Sequence, residues 1–294
     1  MSGPFYRLRG IQVSGSVPMA RYTSFRIGGP ADYLVRVSSR RALKEVIQTV
    51  RRSEIPYFVI GAGTNVLISD RGFRGAIIKL TGSFKLIRHQ GGLFHCGGAA
   101  LLNDLVAKAY RSGYGGAEFL CGIPGSVAGA VKGNAGAWGR AISEIVRRVH
   151  AVDRQGRDRI WDRSEVGFGY RRSGIGEGVI ITGVEIQLCR RPKTAIRREI
   201  ERNRKTRQAR QPRGFSAGSF FKNPARCPAG KLIEECGLKG YRIGDAIVSE
   251  QHANFIINLD RARAADVLAL VRAIKERVRK MKGVELEEEV RILS

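Results

Sequence analysis

Nine of the chain's 37 glycines fall between Gly113 and Gly139, and no single regular element can run through such a stretch. Glycine loses more conformational freedom on folding than any other residue, so it weakens the interiors of helices and strands. In exchange it permits left-handed turns and close approach of the backbone to other groups. The middle of the chain therefore reads as loops and short elements, with regular structure on either side.

Upstream, Tyr33-Leu34-Val35-Arg36-Val37 has strand character. Ser38 or Ser39 can cap a following helix in which Leu43, Val46, Ile47 and Val50 recur at helical spacing. Pro56 closes the connection to a short apolar strand, Tyr57-Phe58-Val59-Ile60, and Ala76-Ile77-Ile78-Lys79-Leu80 is another. A helix is predicted from Leu101 to Ser112, stopped by Gly113. Strands follow near Ile145 to Val152 and Val179 to Leu188, with Arg154-Gln155-Gly156-Arg157 as a hairpin turn. The last third opens on a basic helix and continues through a short helix near Lys231 to Cys236 and a strand at Phe255-Ile256-Ile257-Asn258. A long helix capped by Asp260 comes next, with Val267, Leu270, Val271, Ile274 and Val278 as its buried stripe. Alternation from Val284 to Leu293 predicts a terminal strand, and the class is α+β.

At 294 residues the chain has room for two or three domains. No segment approaches the roughly 18 apolar residues of a membrane helix, and the start shows no secretory signal, so a cytoplasmic enzyme is expected. The five cysteines include no CxxC pair and the four histidines are scattered, so no metal site is expected. The net charge is +26, and between Arg190 and Arg213 eleven Lys or Arg residues face only Glu199 and Glu201. Such a run could track nucleic-acid phosphates. Without an aromatic-studded RNA-binding motif it reads better as a solvated helix face, and no specific nucleic acid or membrane partner is expected.

The segment Gly61-Ala62-Gly63-Thr64-Asn65-Val66 invites a dinucleotide-binding reading, but Val66 replaces the third glycine and Leu67-Ile68-Ser69-Asp70 does not begin a helix. A second loop, Cys121-Gly122-Ile123-Pro124-Gly125-Ser126, has the same small-residue character. Exposed backbone amides in such loops suit phosphates. Two of them suggest a phosphate-bearing cofactor; on spacing alone, two structural turns account for them equally well. Three polar residues complete the candidates. Arg171, in Tyr170-Arg171-Arg172-Ser173, could clamp a carboxylate with its fork of donors. Ser219 sits between Gly218 and two phenylalanines, and Glu289 lies in a partly apolar terminal segment. Each alone reads more readily as a surface arginine, a turn serine and a solvated strand glutamate. Nothing in the sequence pairs Ser219 with a base, so a nucleophilic serine is not argued.

Together these segments resemble the UDP-N-acetylenolpyruvoylglucosamine reductases, FAD enzymes of peptidoglycan precursor synthesis. The resemblance runs from about Val17 to Leu293. It is carried by Thr23-Ser24-Phe25-Arg26-Ile27-Gly28-Gly29-Pro30-Ala31, the two glycine loops, Asn134-Ala135-Gly136-Ala137 and Gly169-Tyr170-Arg171. Gly218-Ser219-Phe220-Phe221-Lys222-Asn223-Pro224 and Leu286-Glu287-Glu288-Glu289-Val290-Arg291 complete the set. The compact stretch from Asn223 to Asn258 is similar to the shorter, second type of the family.

The resemblance implies an FAD-binding fold of the vanillyl-alcohol oxidase kind with a C-terminal α+β substrate domain. Its parts would be residues 1–80 and 81–192, two FAD-binding subdomains, and 193–294, the substrate domain. It implies non-covalent FAD held by Gly61, Gly63, Thr64, Asn65, Gly122, Pro124, Gly125 and Ser126. NADPH would be the hydride donor and a UDP-sugar enolpyruvyl ether the substrate. Arg171 and Glu289 would stabilise growing carboxylate charge, and Ser219 would deliver the proton. Tyr170, Asn223 and Arg291 match substrate-binding positions. Three departures stand out: Tyr22 where Asn is frequent, Lys132-Gly133 where an apolar residue is common, and Arg172 in place of a frequent acidic residue. A flavin oxidase of the same fold acting on another substrate is the alternative within this reading.

Overall fold

The computed structural model describes residues 4–6 and 8–294, which fall into two compact units. The first holds the described residues up to Gly15, Tyr33–Ala62 and Gly75–Arg207; the second holds Ser16–Asp32, Gly63–Arg74 and Gln208–Ser294.

Two hydrophobic clusters organise the first unit. In one, the helix Arg40–Arg52 packs Leu43, Val46, Ile47 and Val50 against Val35, Val37, Ala76 and Ile78. Ser39 caps this helix, its side chain accepting from the Ala42 N–H at 3.3 Å. The sheet beneath runs in the order Ile11–Pro18, Pro30–Val37, Phe73–Leu80, Tyr57–Val59. Its last pair is parallel, with Tyr57 opposite Ala76. The helix links Pro30–Val37 to Tyr57–Val59, which are not neighbours in the sheet, whereas the parallel partners are joined by residues 60–72, which contain no helix.

The other cluster lies on an antiparallel sheet ordered Asp158–Asp162, Val146–Val152, Ile180–Gln187, Leu93–Gly97, Ile87–Gln90. Helix Leu102–Ser112 buries Leu102, Leu105, Val106 and Ala109, one helical face, in this cluster. Gly113 stops it at φ +74°, a conformation that glycine adopts at little cost. The glycine-rich stretch that follows contains no regular element longer than the six-residue helix Val127–Lys132.

The basic helix Lys193–Arg210 buries only Ile196 and Asn203. Asn203 donates to the carbonyl of Glu118 at 3.0 Å. The Glu118 carboxylate, 1% exposed, pairs with Arg191 at 2.9 Å. Most of the helix's cations face solvent, as expected for a solvated face.

In the second unit, helices Ala229–Glu235 and Ala264–Lys282 pack with Phe25, Leu67, Phe220 and Phe221 in one cluster. A sheet of Arg242–Ile243, Ala246–Val248 and Ile256–Asn258 lies alongside, and Val66–Ile68 pairs in parallel with Arg291–Leu293. Two sequence expectations change here. The long helix starts at Ala264, so Asp260 does not cap it; the Asp70 carboxylate instead accepts from the N–H groups of Ala264 at 2.7 Å and Ala265 at 2.9 Å. The terminal strand is confined to Arg291–Leu293, because only there does it gain a partner strand, and Ile292 stays 45% exposed.

Candidate active site

In the second unit Ser219 is held through its neighbours. Phe220 and Phe221 are each 1% exposed, and burying such a ring is worth about 1.5–3 kcal/mol. The Phe220 N–H donates to the Asn254 carbonyl at 2.7 Å, and the Asn254 side chain both accepts from the Phe221 N–H and donates to its carbonyl. On the other side the Phe220 carbonyl accepts from the Glu289 N–H at 2.8 Å, and the Glu287 carbonyl accepts from the Lys222 N–H at 2.8 Å. Ser219 itself bridges Phe255. The segment is thus clamped on both flanks, leaving the half-buried Ser219 hydroxyl and the half-buried Glu289 carboxyl on adjoining, backbone-bonded segments.

The second part of the first glycine loop joins this framework. Asn65 donates through its side chain to the Glu289 carbonyl at 3.1 Å, and its own carbonyl accepts from the Arg291 N–H at 3.1 Å. Gly63 sits at φ +69° with its Cα pressed on the Tyr22 carbonyl, where a Cβ would lie 1.9 Å away. Its own carbonyl accepts from the Ser24 N–H at 2.9 Å. Thr64 between them is half-buried. Asn223 is exposed, and its side-chain oxygen accepts from the Ala229 N–H at 3.0 Å, securing the start of helix Ala229–Glu235.

In the first unit the two glycine loops meet. A Cβ built on Gly61 would lie 2.5 Å from the Ser126 hydroxyl oxygen. Lys79 donates to the Gly61 carbonyl at 2.7 Å, and burial, with Lys85 and Arg36 nearby, lowers its pKa. Ser126 accepts from the Gly129 N–H at 3.2 Å, while the Gly125 carbonyl accepts from the Leu102 N–H at 3.1 Å. Gly122, at φ +74°, donates to the Asn103 side chain at 3.0 Å, and Pro124 is exposed.

Arg171 lies in a tight turn closed by Gly169 and Arg172, at φ +53°. Its Nε is buried, Nη1 donates to the Gly136 carbonyl at 3.4 Å, and its guanidinium carbon is 5.7 Å from the Tyr170 ring centroid. Tyr170 is 59% exposed, and Arg172 is exposed as well. Asn134 braces the turn, donating to the Gly169 carbonyl at 2.9 Å while accepting from the Ser143 N–H at 3.2 Å. The unusual Lys132 also has a use: it donates to the carbonyls of Ile175 and Gly176, and its own carbonyl accepts from Ser173.

Sequence reasoning missed Asn254, whose signal is only one asparagine in an apolar stretch, and Arg207, one of many basic residues on its helix. Among the described residues no three His, Cys, Asp or Glu side chains gather as metal ligands, and no helix is long and apolar enough to cross a membrane.

Residues 31–159 match the FAD binding domain family, and residues 210–293 match the C-terminal domain of UDP-N-acetylenolpyruvoylglucosamine reductase. The UDP-N-acetylenolpyruvoylglucosamine reductase 2 of Symbiobacterium thermophilum is 40% identical over 299 residues, covering 99% of this chain and 97% of that one. The corresponding reductase of Heliobacterium modesticaldum is 43% identical over 279 residues, 94% of this chain and 89% of the relative. Among solved structures, UDP-N-acetylenolpyruvylglucosamine reductase from Thermus caldophilus superposes with a TM-score of 0.84 at 40% identity, covering 97% of this chain and 99% of that one. The α+β flavin-binding fold with a separate C-terminal domain is therefore borne out. The residues present also fit the flavin nucleotide that the matched domain implies. At Gly61 a Cβ would crowd the Ser126 hydroxyl at 2.5 Å, so the two loops lie close with only small groups between them, a setting in which backbone amides can approach a phosphate.

Proposed function

Because the chain belongs to the UDP-N-acetylenolpyruvoylglucosamine reductase family, we propose an assignment of that family's reaction to its own residues. The enzyme is an FAD-dependent oxidoreductase that uses NADPH to reduce UDP-N-acetylglucosamine enolpyruvate to UDP-N-acetylmuramate, in peptidoglycan precursor synthesis. FAD, when bound, would supply the relay for one hydride equivalent (two electrons and a proton) from NADPH to the terminal carbon of the enolpyruvyl double bond.

The protein's own residues do the rest. Ser219 gives its hydroxyl proton to the second carbon, completing the addition across the double bond. Arg171 offsets the charge that grows on the enolpyruvyl carboxylate, and a fixed guanidinium with a buried Nε needs little reorganisation to do so. Glu289 assists at the same charge. Tyr170, Asn223 and Arg291 hold the substrate. Gly61, Gly63, Thr64, Asn65, Gly122, Pro124, Gly125 and Ser126 hold the FAD phosphates through backbone and small side chains. In functional terms we divide the chain into two FAD-binding parts, 1–80 and 81–192, and a substrate part, 193–294. We place the enzyme in the cytoplasm, where nucleotide-linked precursors are made.

The observation that carries this reading is the clamp beside Ser219: two buried rings, the Asn254 amide and the Phe220–Glu289 hydrogen bond fix its main chain next to the Glu289 segment. A proton donor carried on a fixed main chain suits stereospecific protonation.

The test is anaerobic. NADPH should bleach the flavin, and UDP-N-acetylglucosamine enolpyruvate should restore its spectrum. Ser219→Ala should leave the bleaching near normal and slow the restoration by orders of magnitude. Equal losses in both halves would take the proton-donor role away from Ser219.

A further inference from the structure

Arg207 lies on helix Lys193–Arg210, against the second glycine loop. Its stem crosses Gly122 so closely that a Cβ there would lie 3.0 Å from the Arg207 Cδ. Nε donates to the Cys121 carbonyl at 3.3 Å, and the guanidinium carbon is 5.7 Å from the centroid of the Trp138 ring. That ring stands at the tip of a two-residue hairpin between Ala137 and Arg140, held at φ +58° and 40% exposed.

Nη2 of Arg207 is buried and has no hydrogen-bond partner among the described residues, and no carboxylate there pairs with the group. Burial lowers its pKa; the nearby Cys121 thiol works the other way, and the positive charge of Arg171 adds to the fall. A guanidinium nonetheless stays charged in proteins, so the arrangement keeps a buried donor and a repelling neighbour at a standing cost. An anion would relieve both, and a diphosphate oxygen accepts strong charge-assisted bonds from arginine.

We propose that Arg207 is an anion-binding residue of the second glycine loop, its Nη2 donating to a negatively charged oxygen of a bound nucleotide diphosphate. This rests on the flavin-dependent reading above, in which FAD, NADPH and the UDP-sugar all carry that group. Gly122, already favoured by its φ of +74°, also lets the Arg207 stem lie close to the loop, since a Cβ there would press on it at 3.0 Å.

The experiment measures dissociation constants with Arg207→Gln and Arg207→Lys. FAD is titrated into apoprotein by flavin fluorescence, and UDP-N-acetylglucosamine enolpyruvate into oxidised holoenzyme by the flavin spectrum. NADPH affinity comes from the concentration dependence of anaerobic flavin reduction. Arg207→Gln should weaken one of the three by tenfold or more, and the one affected names the source of the diphosphate. Arg207→Lys, which keeps the charge but loses the fork, should fall between. All three constants within twofold of the parent would overturn the proposal. If the parent protein bound no FAD, the flavin reading would fall instead. Inorganic diphosphate, titrated calorimetrically, would then decide on Arg207: binding weakened tenfold by Arg207→Gln supports it, and equal binding removes it.

Discussion

The side-chain amide of Asn65 donates to the backbone carbonyl of Glu289 at 3.1 Å, while the Asn65 carbonyl accepts from the Arg291 N–H, also at 3.1 Å. A residue of the first glycine loop thus fixes the main chain from the Glu289 carbonyl to the Arg291 N–H. Asn65→Ala removes only the side-chain half of this clasp, a bond worth about 0.5–1.5 kcal/mol. The unfolding temperature should drop by no more than about 2–4 °C. Flavin reoxidation by the sugar nucleotide should slow more than flavin reduction by NADPH, because the role proposed for Glu289 is in the second step. Stopped-flow measurement of both half-reactions checks this, and equal slowing would show that Asn65 acts through the cofactor alone.

Asp70 accepts from two N–H groups at the start of helix Ala264–Lys282. Its negative charge also lies at the favourable end of the helix dipole. Asp70→Ala should destabilise the protein by about 1–2 kcal/mol, read as a lower midpoint in thermal or denaturant unfolding. Asp260→Ala should be nearly silent, since that carboxylate is exposed and caps nothing. A larger loss at Asp260 would reverse the assignment of the cap.

The contrast between these two aspartates shows what a sequence can and cannot disclose here. Helix Arg40–Arg52 was legible because its signals are local: a serine cap and a stripe at helical spacing. Asp70 was not, because the helix it caps is 194 residues further along the chain. The terminal alternation misled for a related reason: pairing with Val66–Ile68 reaches only the last three-residue segment, so most of the alternating stretch is not strand. The site followed the same logic. Glycine loops announce close backbone approach, but that Gly61 faces Ser126 is a tertiary fact. Ser219 looked like a turn serine because its clamp comes from Asn254 and Glu289, both distant in sequence. Arg207 was hidden among ten other cations of its segment.

Asp153 offers a pH test of folding. Burial opposes its charge, but hydrogen bonds from the Arg157 N–H, the Arg159 side chain, the Gln155 N–H and the Arg157 side chain outweigh it and hold the carboxyl at about 2, below the ordinary 3.8. A carboxyl depressed in the folded state contributes stability above its unfolded pKa and loses it as pH falls through the folded one. The contribution is therefore intact above about pH 4 and disappears towards pH 2. Asp153→Asn should lower the unfolding midpoint at pH 7 and flatten its fall across the acid window. A variant whose midpoint fell as steeply as the parent's between pH 4 and 2 would assign that acid sensitivity to other groups.

Gly61 and Ser126 allow the cradle itself to be tested by a double-mutant cycle. A Cβ on Gly61 would meet the Ser126 oxygen at 2.5 Å, so Gly61→Ala must move that hydroxyl off its bond to Gly129 or displace a loop. Ser126→Ala alone forfeits the cap on Gly129, costing about 1 kcal/mol, but leaves the loop backbone in place. If backbone spacing between these loops is what admits the FAD phosphates, Gly61→Ala should purify with little flavin. The pair Gly61→Ala with Ser126→Ala should recover much of it, because the obstructing oxygen is gone. Gly63→Ala provides the contrast. Its Cβ would collide with the Tyr22 backbone at 1.9 Å, and its φ of +69° disfavours any side chain, so no partner substitution can make room. That variant should lose thermal stability as well as flavin. Flavin absorbance per mole of protein, read with the unfolding midpoint, separates the cases: full flavin in Gly61→Ala would mean that the loops give way and that their closeness is not what holds the cofactor.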